Sequence, residues 1–177
     1  MSAIYAIGHS TRPLDDFVEL LKAHGITLLA DIRTIPRSRH NPQFNRESLE
    51  RELPKKGIQY RHLAELGGLR HSSRDSINLG WQNSSFRGYA DYMQTRAFAS
   101  AIRRLMELAK GERVAIMCAE GNPFRCHRLL VADALTVRGV HVLHISSRKS
   151  AKEHRLTSFA HAEGTRITYP SSSVVSG

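Results

Sequence analysis

The chain has 177 residues, which is enough for one domain with a short extension and too few for two domains of ordinary size. Hydrophobic residues make up 41% of it and charged residues 24%, which excludes an intrinsically disordered chain. The 26 Lys and Arg residues outnumber the 16 Asp and Glu residues and give a net charge of +10, which predicts an anionic partner.

The basic excess is concentrated in two segments. Residues 33–74 contribute +6 and residues 148–177 contribute +3 of the net charge of +10. An anionic small molecule or a nucleic acid is therefore the expected partner. A membrane partner is not expected, because the longest apolar run, at 114–119, is too short to cross a bilayer.

The N-terminus and the cysteines bear on the compartment. The N-terminus lacks the basic start and apolar stretch of a signal peptide, so a cytoplasmic location is predicted. Cys118 and Cys126 are the only cysteines, which is too few for a disulfide framework, and both thiols are predicted to be reduced.

Apolar runs typical of strands alternate along the chain with segments of helical periodicity. The predicted strands cover residues 3–8, 28–32, 58–63, 114–118 and 140–145. The predicted helices begin at about residue 14 and end before a left-handed Gly25, cover 46–56, run from 88 to 111, and cover 125–138. This order predicts an α/β fold: an open, mainly parallel sheet with helices on both faces, a Rossmann-like three-layer sandwich.

The chain is divided into one domain and one extension. Residues 1–147 are assigned to a single α/β domain. Residues 148–177 are assigned to a basic, Ser-rich C-terminal extension that is partly disordered, above all from residue 171 onwards.

Ligands of open α/β sheets bind at the carboxyl ends of the strands, so the turns at those ends locate a candidate site. His9 and Ser10 follow the first predicted strand, and Asp31 and Arg33 lie at the end of the second. The turn after the fourth strand, residues 118–128, is the richest in reactive side chains. Each residue alone has a structural alternative, because such turns are commonly polar, but together they favour a pocket.

The turn 118–128 allows more than one kind of chemistry. Cys118 fits a thiolate nucleophile whose pKa is lowered by Arg125 and by the following helix. Alternatively, Cys118, Cys126 and His127 are metal ligands. Their spacing matches no paired Cys-x-x-Cys arrangement, so no metal site is predicted.

Glu120 provides a further alternative as a catalytic acid or base. Glu120 and Asp31 would then form an acid–base pair of the kind that breaks glycosidic bonds, while Arg125 and Arg128 hold an anionic group. The competing interpretation is that Asp31 forms a structural ion pair with Arg33 or Arg128.

Short motifs occur in a fixed order along the chain. They are Gly8-His9-Ser10-Thr11, Asp31-Ile32-Arg33 followed by Pro36 and Ser38, Asn41-Pro42-Gln43-Phe44-Asn45, Leu66-Gly67-Gly68, Gly88-Tyr89-Ala90-Asp91-Tyr92-Met93, Met117-Cys118-Ala119-Glu120 and Cys126-His127-Arg128. From about residue 3 to residue 146 the chain thereby resembles the family of unknown function numbered 488. The resemblance implies a compact α/β protein whose motif residues surround one pocket, and it implies no particular reaction.

A polar loop and an aromatic pair add binding candidates. Arg37 and Asn41 suit phosphate or base contacts, and Phe44 offers a stacking face unless its ring anchors the loop on the core. Tyr89 and Tyr92 are three residues apart on a predicted helix, so both can face one cleft or pack there as ordinary aromatic side chains.

The predicted function is an enzyme acting on a phosphate-containing ligand, a nucleotide or nucleic acid, of the hydrolase or glycosidic-bond-cleaving type. The alternatives are a non-catalytic nucleic-acid-binding protein and thiol-based chemistry at Cys118 or Cys126. The catalytic candidates are Asp31, Cys118 and Glu120. The substrate-binding candidates are His9, Ser10, Arg33, Arg37, Asn41, Phe44, Tyr89, Tyr92, Arg125, Cys126, His127 and Arg128. The sequence identifies no cofactor and no oligomeric state.

Overall fold

The computed structural model describes residues 3–172 and contains a six-stranded sheet of order β3-β2-β4-β1-β5-β6. Its strands are Ile4–Gly8 (β1), Leu28–Asp31 (β2), Gln59–His62 (β3), Val114–Cys118 (β4), Val142–Ser147 (β5) and Ser150–Glu153 (β6). The helices are Leu14–Ala23 (α1), Arg46–Glu52 (α2), Ser84–Tyr92 (α3), Arg96–Gly111 (α4) and Arg128–Thr136 (α5). Strands β1 to β5 are parallel, and β6 is antiparallel to β5, so the predicted fold class is confirmed.

Both faces of the sheet are covered by helices. Successive residues of a strand point to opposite faces, so alternate residues of one strand pack against different helices. In the central strand β1, Ile4 and Ala6 pack with residues of α3, α4 and α5. Tyr5 and Ile7 pack instead with residues of α1 and α2. Strand β4 is likewise buried along its whole length, as a parallel strand between two helical layers should be.

The predicted helix from 88 to 111 is wrong in one respect, since two helices occupy this region. The first helix ends at Tyr92, and Thr95 caps the second: its side-chain oxygen accepts a hydrogen bond from the backbone N–H of Phe98. The apolar stripe of the second helix is as predicted, with Phe98 and Ile102 in the core.

The predicted helix 125–138 is also shorter in the structure. Arg125, its predicted first residue, belongs instead to a 3₁₀ turn at Pro123–Arg125, and Cys126 then adopts an extended backbone conformation before α5 begins at Arg128. This interruption places Cys126 and His127 at the amino end of α5 instead of within the helix.

The C-terminal segment differs most from the expectation. Residues 150–153 form β6 of the main sheet, and a hairpin follows at His161–Glu163 (β7) and Arg166–Thr168 (β8). Tyr169 is fully buried in the core formed with α3, α4 and α5. Up to residue 172 the predicted extension therefore packs on the domain, and the predicted disorder at 173–177 lies outside the described residues.

Asp133 of α5 ties this segment to the domain. Its carboxylate is fully buried and accepts hydrogen bonds from His154 Nε2 at 2.7 Å, the Thr157 hydroxyl at 2.7 Å and the Tyr169 hydroxyl at 2.7 Å. His154 Nδ1 in turn lies 2.9 Å from His144 Nε2 on β5.

Among residues 3–172, no helix is long and apolar enough to span a membrane.

We predict that Asp133→Ala lowers the free energy of unfolding by about 3 kcal/mol or more, because it leaves the buried donors of His154 and Tyr169 and the half-buried hydroxyl of Thr157 without their acceptor. Urea denaturation of the full chain measures the change. Asp75→Ala is the matched control, since Asp75 is exposed, and it should change the stability by about 0.5 kcal/mol or less. Equal losses in the two variants would contradict this function of Asp133.

Candidate functional site

A cavity of about 350 Å³ opens at the carboxyl ends of β2 and β4. Such an edge is where open α/β sheets bind ligands. The cavity is lined by Arg33, Thr34, Ile35, Arg37, Gly68, Leu69, Ser85, Phe86, Cys118, Ala119, Glu120, Arg125, Cys126 and His127.

About half of the predicted site residues meet at this cavity. Those that line it are Arg33, Arg37, Cys118, Glu120, Arg125, Cys126 and His127. Those that do not line it are His9, Ser10, Asp31, Asn41, Phe44, Tyr89, Tyr92 and Arg128. The second group falls mainly into side chains buried beneath the cavity and side chains that hold its neighbouring loops.

Asp31 lies beneath the cavity, where its carboxylate is fully buried and fully used. Arg33 donates from Nε to Asp31 Oδ1 at 2.9 Å and from Nη2 to Oδ2 at 2.7 Å. The Tyr60 hydroxyl donates to the same Oδ2 at 2.5 Å, and burial together with the charge of Asp31 raises the pKa of Tyr60. Asp31 therefore fits a positioning function for Arg33, as the competing interpretation of the sequence expected, better than the function of a catalytic acid.

His9 and Phe44 also lie below Arg33. Their rings are stacked with centroids 4.3 Å apart, and both residues are buried. Arg33 Nη2 donates to the Phe44 carbonyl at 2.7 Å, and burial lowers the pKa of His9, which keeps its ring neutral at neutral pH. Phe44 thus anchors its loop on the core instead of offering a face to a ligand.

Tyr89 and Tyr92 hold the chain that leads to the cavity. Tyr89 donates from its hydroxyl to the Leu66 carbonyl at 2.7 Å, and Tyr92 donates to the Glu65 carbonyl at 2.6 Å. The Arg70 guanidinium lies 3.7 Å from the centre of the Tyr92 ring. Both tyrosines are therefore packing residues that fix the turn before Gly68 and Leu69.

Arg128 contacts the end of β4 and the loop that follows it, which line the cavity. This side chain is 2% exposed, and its Nη1 donates to the Cys118 sulfur at 3.2 Å and to the Glu120 carbonyl at 3.0 Å. Among the described residues it forms no ion pair with a carboxylate within 4.0 Å. Burial lowers the pKa of Arg128 to about 10, so the guanidinium remains charged at neutral pH.

The cysteines correct one expectation from the sequence. Both thiols were expected to be free, but the structure pairs the sulfurs of Cys118 and Cys126. The pairing arises because Cys118 ends β4 and Cys126 precedes α5, so the loop between them folds back over the cavity.

His127 lies in the cavity wall as a neutral ring. Its Nε2 is 2.8 Å from the Ile32 carbonyl, so Nε2 carries the proton and Nδ1 is the acceptor, 3.6 Å from the Cys126 sulfur. Burial lowers the pKa of His127 to about 4.

Glu120 and Arg125 are the exposed ionisable groups of the loop after β4. Glu120 Oε1 accepts a hydrogen bond from the backbone N–H of Asn122 at 3.0 Å, and among residues 3–172 Glu120 is the only carboxylate that lines the cavity. Arg125 closes the 3₁₀ turn that the Asn122 side chain caps, and it forms no ion pair within the described part of the chain. Both side chains are free to meet a ligand.

Sequence reasoning missed the apolar part of the wall. Ile35 is 61% exposed and Leu69 is 74% exposed, and both line the cavity. Leu69 also has a φ of 60°, a left-handed conformation that is uncommon for leucine and is frequent at functional sites. The only signal in the sequence was the preceding Gly67-Gly68 motif, which indicates a loop without specifying an exposed leucine.

Fold and site together define an α/β protein with one arginine-lined cavity at the carboxyl edge of its parallel sheet. The chain belongs to the family described as Domain of unknown function DUF488, which it matches over residues 13–135. The resemblance inferred from its motifs is thereby confirmed. No curated protein and no solved structure matches the chain.

Gly8 at the end of β1 is predicted to tolerate no side chain. An added Cβ would lie 1.8 Å from the Glu120 carbonyl oxygen and 2.7 Å from Arg128 Nη1, so Gly8→Ala must displace the loop after β4. We expect a loss of about 2 kcal/mol or more in a denaturation experiment. Gly111→Ala, where no atom lies within 4 Å of the added Cβ, should leave the stability unchanged or slightly raised. Similar losses in both variants would contradict the close approach at Gly8.

The neutral His127 predicts a pH dependence of stability. Its pKa is about 4 in the folded chain and near 6.5 in the unfolded chain, so only the unfolded chain takes up a proton between these values. The free energy of unfolding should therefore fall as the pH drops from 6.5 towards 4, by up to about 3 kcal/mol from this residue. Urea denaturation across this range should show a shallower fall in His127→Gln. Part of the fall remains because burial also lowers the pKa of His144 to about 4. An unchanged slope in the variant would contradict the assignment.

Proposed function

We propose that the protein is an enzyme that binds a phosphate-bearing ligand of the nucleotide type in this cavity and hydrolyses it, with Glu120 transferring the proton. The observation that carries the proposal is the composition of the wall. Among the residues that the structure describes, three arginines and a single carboxylate line the cavity together with exposed apolar side chains.

The arginines support recognition of an anion. Asp31 holds the Arg33 guanidinium in a fixed orientation at the cavity, while Arg125 has no ion-pair partner among residues 3–172. Arg37 is paired only with Glu47, at 3.5 Å between exposed side chains, an interaction that costs little to break. A phosphate group would gain charge-assisted hydrogen bonds from these donors.

The opposite part of the wall supports an apolar or aromatic moiety. Ile35, Leu69 and Phe86 line it, and the first two are exposed in the structure. Exposed apolar groups beside concentrated polar groups are typical of ligand sites, and the volume of about 350 Å³ lies in the range of small-molecule pockets. A nucleotide combines both kinds of group in one molecule.

Glu120 supports a hydrolytic step. It is exposed to the cavity, and its carboxylate can accept a proton from an attacking water and return it to the leaving group. A pair of catalytic carboxylates is less favoured than a single one, because Asp31 is occupied by Arg33 and Tyr60.

We predict that Arg125→Ala weakens the binding of nucleoside monophosphates by about tenfold, which corresponds to the loss of one charge-assisted contact of about 1.4 kcal/mol. Isothermal titration calorimetry at fixed ionic strength measures the affinity. Arg104→Ala removes the same charge from the exposed face of α4, outside the cavity, and should bind as the unaltered chain does. Equal weakening of binding by both substitutions would mean that Arg125 acts only through the net charge of the protein.

We predict that Glu120→Gln retains ligand binding but abolishes turnover in a screen of nucleotides and short oligonucleotides, with a melting temperature within about 2 °C of the unaltered chain. Turnover that survives the substitution would remove Glu120 from the mechanism. Salt-sensitive binding of oligonucleotides without any turnover would favour the non-catalytic nucleic-acid-binding alternative.

A further inference from the structure

The hydrolytic mechanism leaves two reactive side chains of the cavity wall unused. Cys118 and Cys126 both line the cavity, and their sulfurs are paired. Two paired sulfurs in the wall of an open cavity are placed for chemistry that makes and breaks the bond between them.

The surroundings of Cys118 favour a thiolate when the pair is reduced. Arg128 Nη1 donates to its sulfur at 3.2 Å, and this guanidinium is buried without a carboxylate partner among the described residues. A buried positive charge is stabilised by a nearby negative charge, and the sulfur of Cys118 is the one ionisable atom to which this guanidinium donates a hydrogen bond. Cys118 is therefore suited to be the attacking sulfur.

The surroundings of Cys126 differ from those of Cys118, because its sulfur accepts a hydrogen bond from the backbone N–H of Arg128 at 3.4 Å and none from a guanidinium. Its sulfur lies 3.6 Å from Nδ1 of His127, and this nitrogen is an acceptor because Nε2 donates to the Ile32 carbonyl. The thiol can therefore donate its proton to Nδ1. The two cysteines thus have different environments, one suited to attack a substrate and the other to resolve the product of that attack.

We propose that Cys118 and Cys126 form a dithiol–disulfide couple that reduces an anionic low-molecular-weight disulfide bound in the cavity. The Cys118 thiolate attacks one sulfur of the substrate, the substrate S–S bond breaks, and the first thiolate leaves. Cys126 then loses its proton to this departing thiolate and attacks the Cys118 sulfur, which breaks the mixed disulfide and releases the second thiolate. Overall, the thiolate–thiol pair of the protein gives two electrons and one proton to the substrate, which leaves as one thiol and one thiolate, while Cys118 and Cys126 become a disulfide.

The rim of the cavity accounts for the preference for an anionic substrate. Arg125 has no ion-pair partner within residues 3–172, and Arg37 is held only by an exposed pair with Glu47. These guanidinium groups would bind carboxylates on the substrate while its sulfurs reach Cys118. The reaction needs no nucleotide, so its test is independent of the hydrolytic function.

The test uses the reduced full-length protein and two aromatic disulfides, dithiobis(nitrobenzoate), which carries carboxylates, and uncharged dithiodipyridine. Under native conditions the unaltered chain should release two thiolates for each protein molecule and lose the mass of two hydrogen atoms without keeping an adduct. Cys126→Ser should release one thiolate and keep a mixed disulfide at Cys118, which mass spectrometry of the digested protein locates. Thiols that react only after denaturation would overturn the proposal.

Two further measurements separate this function from ordinary thiol exposure. The rate of Cys126→Ser with dithiodipyridine should stay high well below about pH 8.5, the usual pKa of a thiol, because Arg128 stabilises the thiolate. Arg125→Ala should reduce the ratio of the rates with the anionic and the neutral disulfide several-fold, whereas Arg104→Ala should not. A rate that falls tenfold for each pH unit below about 8.5 would overturn the assignment of Cys118 as the attacking thiolate.

Discussion

The buried guanidinium of Arg128 is the feature on which the candidate site depends. It belongs to the largest fully buried side chain described, and a charge removed from water is costly unless other groups compensate it. The carbonyls of Glu120 and Gly121 and the sulfur of Cys118 supply that compensation in part. The loop after β4 is therefore folded around a positive charge, and this side of the cavity favours a thiolate or an anionic ligand.

Arg33 shows how differently a second buried arginine can act at the same edge of the sheet. Its bidentate pair with Asp31 cancels most of its charge at short range, and the Phe44 carbonyl fixes its remaining orientation. Most of the Arg33 donors are therefore used within the protein, whereas Arg125 forms no ion pair among the described residues and Arg128 has no carboxylate partner there. This explains why Asp31, an ionisable residue at a strand end, supports the site without taking part in proton transfer.

Helices and strands with a regular spacing of buried side chains could be predicted from the sequence. Contacts between side chains of different elements could not. Strand β4 and the apolar stripe of α4 follow from local periodicity, because burial on two faces or one face leaves a readable pattern. In the sequence, aromatic residues such as Phe44 and Tyr89 are equally consistent with facing a ligand and with packing in the core. Only the packing of α2 and α3 distinguishes the two positions. The left-handed conformation of Leu69 is uncommon for leucine, so the residue type did not indicate it. Threonine is a common helix cap, but a threonine alone does not show that a new helix begins after it.

The C-terminal segment supplies His154, which is linked by hydrogen bonds to Asp133 of α5 and to His144 of β5. Asp133 fixes the proton of His154 on Nε2, so His154 Nδ1 accepts from Nε2 of His144, and His144 presents an unprotonated Nδ1. Burial lowers the pKa of His144 to about 4, with the positive charge of Arg128 among the further causes. A neutral ring at this position avoids a second uncompensated charge near the guanidinium. The segment that supplies His154 lies outside the family match, yet its hydrogen bonds to Asp133 join it to α5, the helix that also carries Arg128.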